Sequence, residues 1–234
     1  MPDDFIAELD ALPAKGFVGA NVTIPHKETA LANATQITDR ARAIGAANTL
    51  VFQPDGKLYA DNTDGYGFIE NIRQHAPDWQ AKDGPALVLG AGGAARAIVS
   101  ALLEAGAPEV YISNRTRSRA DQIKSDFGAR VNVVEWVKAS TEIEHTHTLV
   151  NTTSLGMTGK PALNISLKGL RPETLVTDIV YTPLETEFLQ AARSKGSTVV
   201  DGLGMLIHQA VPGFERWFGQ KPVVDQEIRD ILIP

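Results

Sequence analysis

Ala86–Leu89 is a short apolar stretch that runs straight into Gly90-Ala91-Gly92-Gly93-Ala94-Ala95, and this junction leaves few ways to fold. From Ala94 to Ala105 apolar residues recur at helical spacing, and Gly106 supplies the stop. A strand, a glycine-rich turn and a helix in that order open a dinucleotide-binding βαβ unit. Gly90 permits the tight turn, Gly92 lets backbone amides approach a pyrophosphate, and Ala95 lets the helix pack close to the strand. The helix start then offers unpaired amides and a partial positive charge to phosphate.

The residues that follow keep alternating. Val110–Ser113 reads as a second strand, followed by Asn114-Arg115-Thr116 and a helix through Phe127, with Gly128 behind it. Val131–Val134, Thr148–Asn151, Leu175–Tyr181 and Thr198–Val200 continue as apolar, β-branched strands, and a helix from Leu184 to Ser194 separates the last two. Such alternation implies a parallel, doubly wound sheet of Rossmann type, covered on both faces. The end of the second strand indicates the cofactor. An NAD site usually places an acid there, whereas this chain has Asn114-Arg115-Thr116 with Arg117 and Arg119 close behind. A carboxylate would repel a 2′-phosphate and a guanidinium can pair with it, so NADP is favoured over NAD.

The first part of the chain reads differently. Phe17–Ile24 is expected as a strand, with Pro25 placed for the first turn of a helix through Ala34. Thr38–Ile44 is a short helix, and Ala47–Phe52 with Lys57–Ala60 flank the turn Gln53-Pro54-Asp55-Gly56, a hairpin. After Asp201, helices are expected over Met205–Phe218, kinked at Pro212, and over Asp225–Leu232. Asp78–Pro85 is the candidate hinge into the nucleotide unit.

Composition narrows the chemistry. A net charge of −6 argues against nucleic acid as a partner, since such binders carry basic patches. The chain has no cysteine, which removes thiol nucleophiles, disulfides and cysteine metal sites. His145 and His147 stand two apart and read as a solvated loop, so no metal is expected. No stretch is long and apolar enough for a membrane span, and the cytoplasm is the expected compartment.

Two polar clusters fall outside the nucleotide unit: Asn21-Val22-Thr23-Ile24-Pro25-His26-Lys27 and Asp61-Asn62-Thr63-Asp64-Gly65. Each puts ionisable groups at the end of an element, where sites of α/β proteins gather. A lysine–carboxylate pair suits alcohol–ketone interconversion, in which a base takes the hydroxyl proton as hydride leaves.

Seven motifs then resemble, in order, those of the shikimate dehydrogenase family. They are Gly19-Ala20-Asn21-Val22-Thr23-Ile24-Pro25-His26-Lys27, Gly45-Ala46-Ala47-Asn48-Thr49, Asn62-Thr63-Asp64-Gly65, the glycine turn, Asn114-Arg115-Thr116, Asn151-Thr152-Thr153-Ser154-Leu155-Gly156-Met157 and Asp201-Gly202-Leu203-Gly204-Met205. The resemblance implies NADP-linked interconversion of 3-dehydroshikimate and shikimate, in the route to aromatic amino acids. It implies Lys27 and Asp64 as the catalytic pair, with Thr23, Asn48, Tyr181 and Gln209 on the substrate's ring hydroxyls. Gly90, Ala91, Gly92, Gly93, Ala94, Asn114, Arg115, Thr116 and Arg119 would hold the cofactor, with Ile179 and Gly202 lining the nicotinamide pocket.

The implied fold is α/β in two domains. Residues 1–65 form a substrate domain, 66–201 the NADP-binding Rossmann domain, and helices in 202–234 return to complete the first. The partner is a small molecule, with no nucleic acid or membrane, and the chain is expected as a monomer or homodimer. The family also carries, before the Phe17–Ile24 strand, a strand and helix with two serines that hold the substrate carboxylate. The first serine here is Ser100. The expectation is a truncated or mis-started enzyme with its turnover open to impairment. A quinate/shikimate dehydrogenase and a non-catalytic NADP-binding remnant are the alternatives.

Overall fold

β-branched and apolar segments sort into two sheets in the computed structural model, which describes residues 4–233. Met1–Asp3 and Pro234, at the outer ends of the expected first and last segments, lie outside the described residues. The first part contains α1 (Phe5–Ala11), β1 (Gly19–Asn21), α2 (Lys27–Asn33), β2 (Gln36–Ile37), α3 (Asp39–Ile44), β3 (Thr49–Phe52) and β4 (Leu58–Asp61). These strands form a four-stranded sheet in the order β1-β3-β4-β2. β3 and β4 pair antiparallel as the hairpin that the Gln53–Gly56 turn signals. Leu9, Val22, Ala30, Ala47, Leu50 and Ala60 make its buried core.

α4 (Asp64–His75) carries the chain into the second sheet. There follow β5 (Ala86–Leu89), α5 (Gly93–Glu104), β6 (Val110–Ser113), α6 (Arg117–Phe127), β7 (Val131–Val134), α7 (Ala139–Glu142), β8 (Thr148–Asn151), β9 (Leu175–Asp178), α8 (Glu187–Ser194) and β10 (Val199–Val200). The six strands are parallel, in the order β10-β9-β8-β5-β6-β7. Period-two alternation sends Val88 and Ile112 into one core with Ile98 and Leu102, and Leu87 and Leu89 into another with Val176 and Leu189. The strand order reverses between β5 and β8, the switch point at which α/β sheets hold ligands. The chain ends in α9 (Leu203–His208), α10 (Val211–Phe218) and α11 (Gln226–Leu232). α10 returns to the first sheet, where Trp217 Nε1 donates to Leu50 O at 2.9 Å. No helix among the described residues is long and apolar enough to cross a membrane.

Several elements are shorter than their apolar runs predict. The Phe17–Ile24 run is a strand only over Gly19–Asn21, the three residues that pair with Thr49–Val51. Pro25 lies in a turn closed by His26 N–H on Thr23 O (2.9 Å), so α2 starts at Lys27 rather than at the proline. β9 stops at Asp178 because that carboxylate takes the Val180 N–H at 3.0 Å and bends the chain off the sheet. α8 waits for its cap at Thr186, whose hydroxyl accepts from Leu189 N–H. Pro212 starts a new helix instead of kinking a long one, because a proline without an N–H fits a first turn at no cost. His147 is half-buried rather than solvated, its Nε2 enclosed without a hydrogen-bond partner among the described residues.

Candidate active site

The site is built around two charges from separate elements. Lys27 opens α2, directly after the Thr23–His26 turn, and Asp64 opens α4, directly after β4. Their side chains meet with Nζ 2.7 Å from Oδ2, and both are largely shielded, at 24% and 9% exposure. Asn48, buried between β3 and the α3 turn, donates from Nδ2 to the other carboxylate oxygen of Asp64 at 2.8 Å. The same amide nitrogen donates to Gln209 Oε1 at 2.9 Å.

The orientation of the Asn48 amide is itself determined. Its Oδ1 accepts from Thr63 N–H at 2.8 Å and from the Thr49 hydroxyl at 3.0 Å, so the NH₂ must face Asp64. Thr63 Oγ1 donates to Gln209 O at 2.7 Å, which ties the last turn of α9 to the same network. Behind it, Asp61 is fully buried. Burial alone would raise its pKa, but the bidentate Arg40 guanidinium (2.7 and 2.5 Å), the Thr38 hydroxyl and the Asn62 N–H hold it below the ordinary carboxylate range.

A cavity of about 420 Å³ opens in front of the pair. Thr23, Lys27, Asp64, Tyr181 and Gln209 line it, together with Ile179 and Gly202 from the far side. Five of the six residues expected to touch substrate or act on it therefore share one cavity, and the sixth, Asn48, bonds to two of them. Asn21, Val22, Met205 and Leu206 also line it and were not singled out from sequence. Asn21, Val22 and Met205 stand inside the family-like motifs, and Leu206 follows Met205 on α9.

The cofactor side forms at the C-terminal edge of the parallel sheet. Gly90 has φ +111°, and a Cβ there would lie 2.6 Å from Thr152 Oγ1, so the turn demands glycine twice over. Gly92 and Gly93 are exposed with open space around them, and the N-terminus of α5 has no side-chain cap, so its amides are available to phosphate. Ala95, in the first turn of α5, is fully buried, while Ala91 and Ala94 flank the turn. Asn114 Nδ2 donates to Thr116 O at 2.8 Å and shapes the loop after β6. Of the three arginines there, Arg117 faces Asp121 and Glu135. Arg115 and Arg119 are exposed and make no ion pair among the described residues, as free cations for a 2′-phosphate would. Gly202 closes against β9 so tightly that a Cβ would sit 2.4 Å from Ile179 O, which brings the two residues expected at the nicotinamide together.

A dinucleotide therefore fits this edge, and the Lys27–Asp64 pair stands across the cavity from it. That arrangement can remove a hydroxyl proton while the carbinol carbon exchanges hydride with a ring held on the Ile179–Gly202 side.

Residues 1–50 match the family described as shikimate dehydrogenase substrate binding domain, residues 72–163 the shikimate / quinate 5-dehydrogenase family, and residues 202–226 the shikimate 5′-dehydrogenase C-terminal domain. The chain is 63% identical over 233 residues to a shikimate dehydrogenase (NADP(+)) of Paracoccus denitrificans, covering 100% of this chain and 83% of that one. Among solved structures, the shikimate 5-dehydrogenase of Thermus thermophilus in complex with NADP(H) and shikimate superposes with a TM-score of 0.81 at 38% identity, over 92% of this chain and 78% of that one. The quinate dehydrogenase of Corynebacterium glutamicum in complex with NAD superposes with a TM-score of 0.88 at 32% identity, over 97% and 81%.

Proposed function

The chain belongs to the shikimate dehydrogenase family, and we propose that Lys27 and Asp64 handle the proton in its reaction. The enzyme is an NADP-dependent oxidoreductase that reversibly reduces 3-dehydroshikimate to shikimate. When bound, NADPH would supply the hydride for reduction and NADP⁺ would accept it in the reverse direction. Lys27 takes the hydroxyl proton as the carbinol carbon is oxidised and returns it in the reverse direction. Asp64 holds the Lys27 side chain on line, and Asn48 holds Asp64. Thr23, Tyr181 and Gln209 receive the ring hydroxyls from the cavity walls. Gly90–Ala94 and the amides of α5 receive the pyrophosphate, Asn114, Arg115, Thr116 and Arg119 receive the adenosine 2′-phosphate end, and Ile179 and Gly202 receive the nicotinamide.

The observation that carries these roles is the 2.7 Å Lys27–Asp64 contact at the wall of a cavity whose other side is the cofactor edge. The same reading divides the chain into a substrate part, 1–65 with 202–234, and a cofactor part, 66–201; the bond from Trp217 to Leu50 supports the return of the C-terminal helices. We infer a cytoplasmic enzyme, monomeric or homodimeric, acting on a small molecule.

The test is NADP reduction followed by absorbance with shikimate, run beside quinate, NAD and Lys27→Ala. Shikimate-dependent turnover with NADP, abolished in the variant, is expected. Equal turnover in the variant would overturn the role given to Lys27, and preference for quinate with NAD would overturn the substrate and cofactor assignment.

A further inference from the structure

Arg96 stands one turn into α5, the helix that begins at the glycine turn, yet most of its bonds leave the cofactor half. Its Nε donates to Ile44 O at 2.5 Å and its Nη2 to Ala43 O at 2.9 Å. These are the last carbonyls of α3. Gly45 turns the chain away in a left-handed conformation and sends its N–H to Ala41 O and Arg42 O, so the Ala43 and Ile44 carbonyls have no partner within the helix. A guanidinium there satisfies two of them at once and also meets the negative end of the helix dipole.

The guanidinium is held from the other side as well. Nη1 lies 2.7 Å from Asp126 at the end of α6, and the group sits 5.5 Å above the Phe127 ring. It keeps the Asp126 carboxyl below its usual range. The side chain is 21% exposed, and Ile44, Ala46 and Ala97 form a small buried cluster next to it between α3 and α5. One side chain thus joins three helices. At one end of the connection is the N-terminus of α5, where phosphate is received. At the other, the chain runs from Ile44 through Gly45-Ala46-Ala47 to Asn48, which bonds directly to Asp64.

We propose that Arg96 is a positioning residue for hydride transfer, tying the cofactor helix to the C-terminus of α3 and so setting the distance between the cofactor edge and the Lys27–Asp64 pair. This rests on the dehydrogenase reading given above. Arg96 does not line the cavity beside Lys27 and Asp64, and it acts through Asn48 and the glycine turn. A loosened connection leaves each ligand its own half-site but spreads the separation between them, and hydride transfer is steeply sensitive to such misplacement.

Arg96→Met, which keeps the apolar stem and helix preference, and Arg96→Lys, which keeps a charge but not the fork, test this. For Arg96→Met, kcat with shikimate is expected to fall by about 10- to 100-fold, while the separate dissociation constants of NADP and shikimate stay within about threefold. The deuterium isotope effect on kcat, with shikimate labelled at the carbinol carbon, should rise as hydride transfer becomes slower than release. Arg96→Lys should lie between the two. Because the chain has no cysteine, Thr29→Cys and Lys124→Cys allow spin labels on the two halves, and their distance distribution should broaden in Arg96→Met. An unchanged kcat and isotope effect with an unbroadened distribution would overturn the proposal, whatever the melting temperature does. So would lost NADP affinity with an unbroadened distribution, since Arg96 would then act at the cofactor. A parent chain without shikimate turnover would defeat the dehydrogenase reading, and the spin-label distance would still decide whether Arg96 holds the halves together.

Discussion

Lys27 Nζ lies 2.7 Å from Asp64 Oδ2 although 37 residues separate them, and each stands at the first position of its own helix. Neither charge is placed by its own element alone. The turn at Thr23–His26 delivers the lysine, and Asn48 turns the carboxylate toward it. If Lys27 handles the proton and nothing else, Lys27→Ala should lower kcat by about 10²- to 10⁴-fold and leave the NADP dissociation constant nearly unchanged. Stopped-flow turnover beside fluorescence titration of NADPH checks both halves of this. A collapse of cofactor binding would show that the lysine does something other than proton transfer.

Among the described residues Arg115 and Arg119 make no ion pair, whereas Arg117 is engaged by Asp121 and Glu135. A charge-assisted bond to a 2′-phosphate is worth roughly 1.5–3 kcal/mol, so Arg115→Ala should weaken NADP by about 10- to 100-fold. NAD, which lacks that phosphate, should bind the variant about as well as it binds the parent. Calorimetric titration with both cofactors distinguishes the cases, and equal losses would mean that Arg115 does not read the phosphate.

The parallel sheet was legible because its strands are short apolar runs bounded by glycine and polar turns, and Ala86–Leu89, Val110–Ser113, Val131–Val134 and Thr148–Asn151 have the bounds their sequence suggests. α4 was not, and the reason is physical. Its inner face includes Gly65, Gly67 and Asn71 beside Phe68, Ile69 and Ile72, since α5 and α9 cross it closely, and small residues erase the apolar period. The motifs disclosed which residues belong to the site, but not the hydrogen bonds that orient them. Thr49 and Thr63 around Asn48, or Arg96 between helices, look like ordinary polar residues until the chain is folded.

The crossing of α4 and α9 makes a stability prediction. A Cβ on Gly204 would stand 1.8 Å from Asn71 Oδ1, whose neighbouring Nδ2 is bonded to Asp201 O. Gly204→Ala should therefore cost about 1–3 kcal/mol, the usual penalty for overpacking. Asn71 Oδ1 has no hydrogen-bond partner among the described residues, so Asn71→Ala removes the clash and one bond only. Urea midpoints of the two single variants and the double should be clearly non-additive, with the double less destabilised than the sum. Simple additivity would mean that the helices move apart instead of pressing on Asn71.

Asp178 supplies a prediction with a definite sign in pH. Its carboxyl, fully buried at the end of β9, is pushed up to about 6 from 3.8, chiefly because burial strips it of water. Bonds from Val180 N–H, the Thr186 hydroxyl and Asn151 Nδ2 offset only part of that penalty. Between about pH 4 and 6 the folded chain keeps a proton that the unfolded chain has released. The contribution of this group to stability is thus full below about pH 4 and is lost as pH rises through about 6, a change of roughly 3 kcal/mol. Asp178→Asn retains an acceptor for Val180 and Asn151, offers an N–H to Thr186 and carries no charge. Its stability relative to the parent should therefore improve by about that amount from pH 4 to pH 8 in denaturant titrations at each pH. Parallel stability curves for the two proteins would mean that the carboxyl is ionised at no cost, and that its three bonds balance the loss of water.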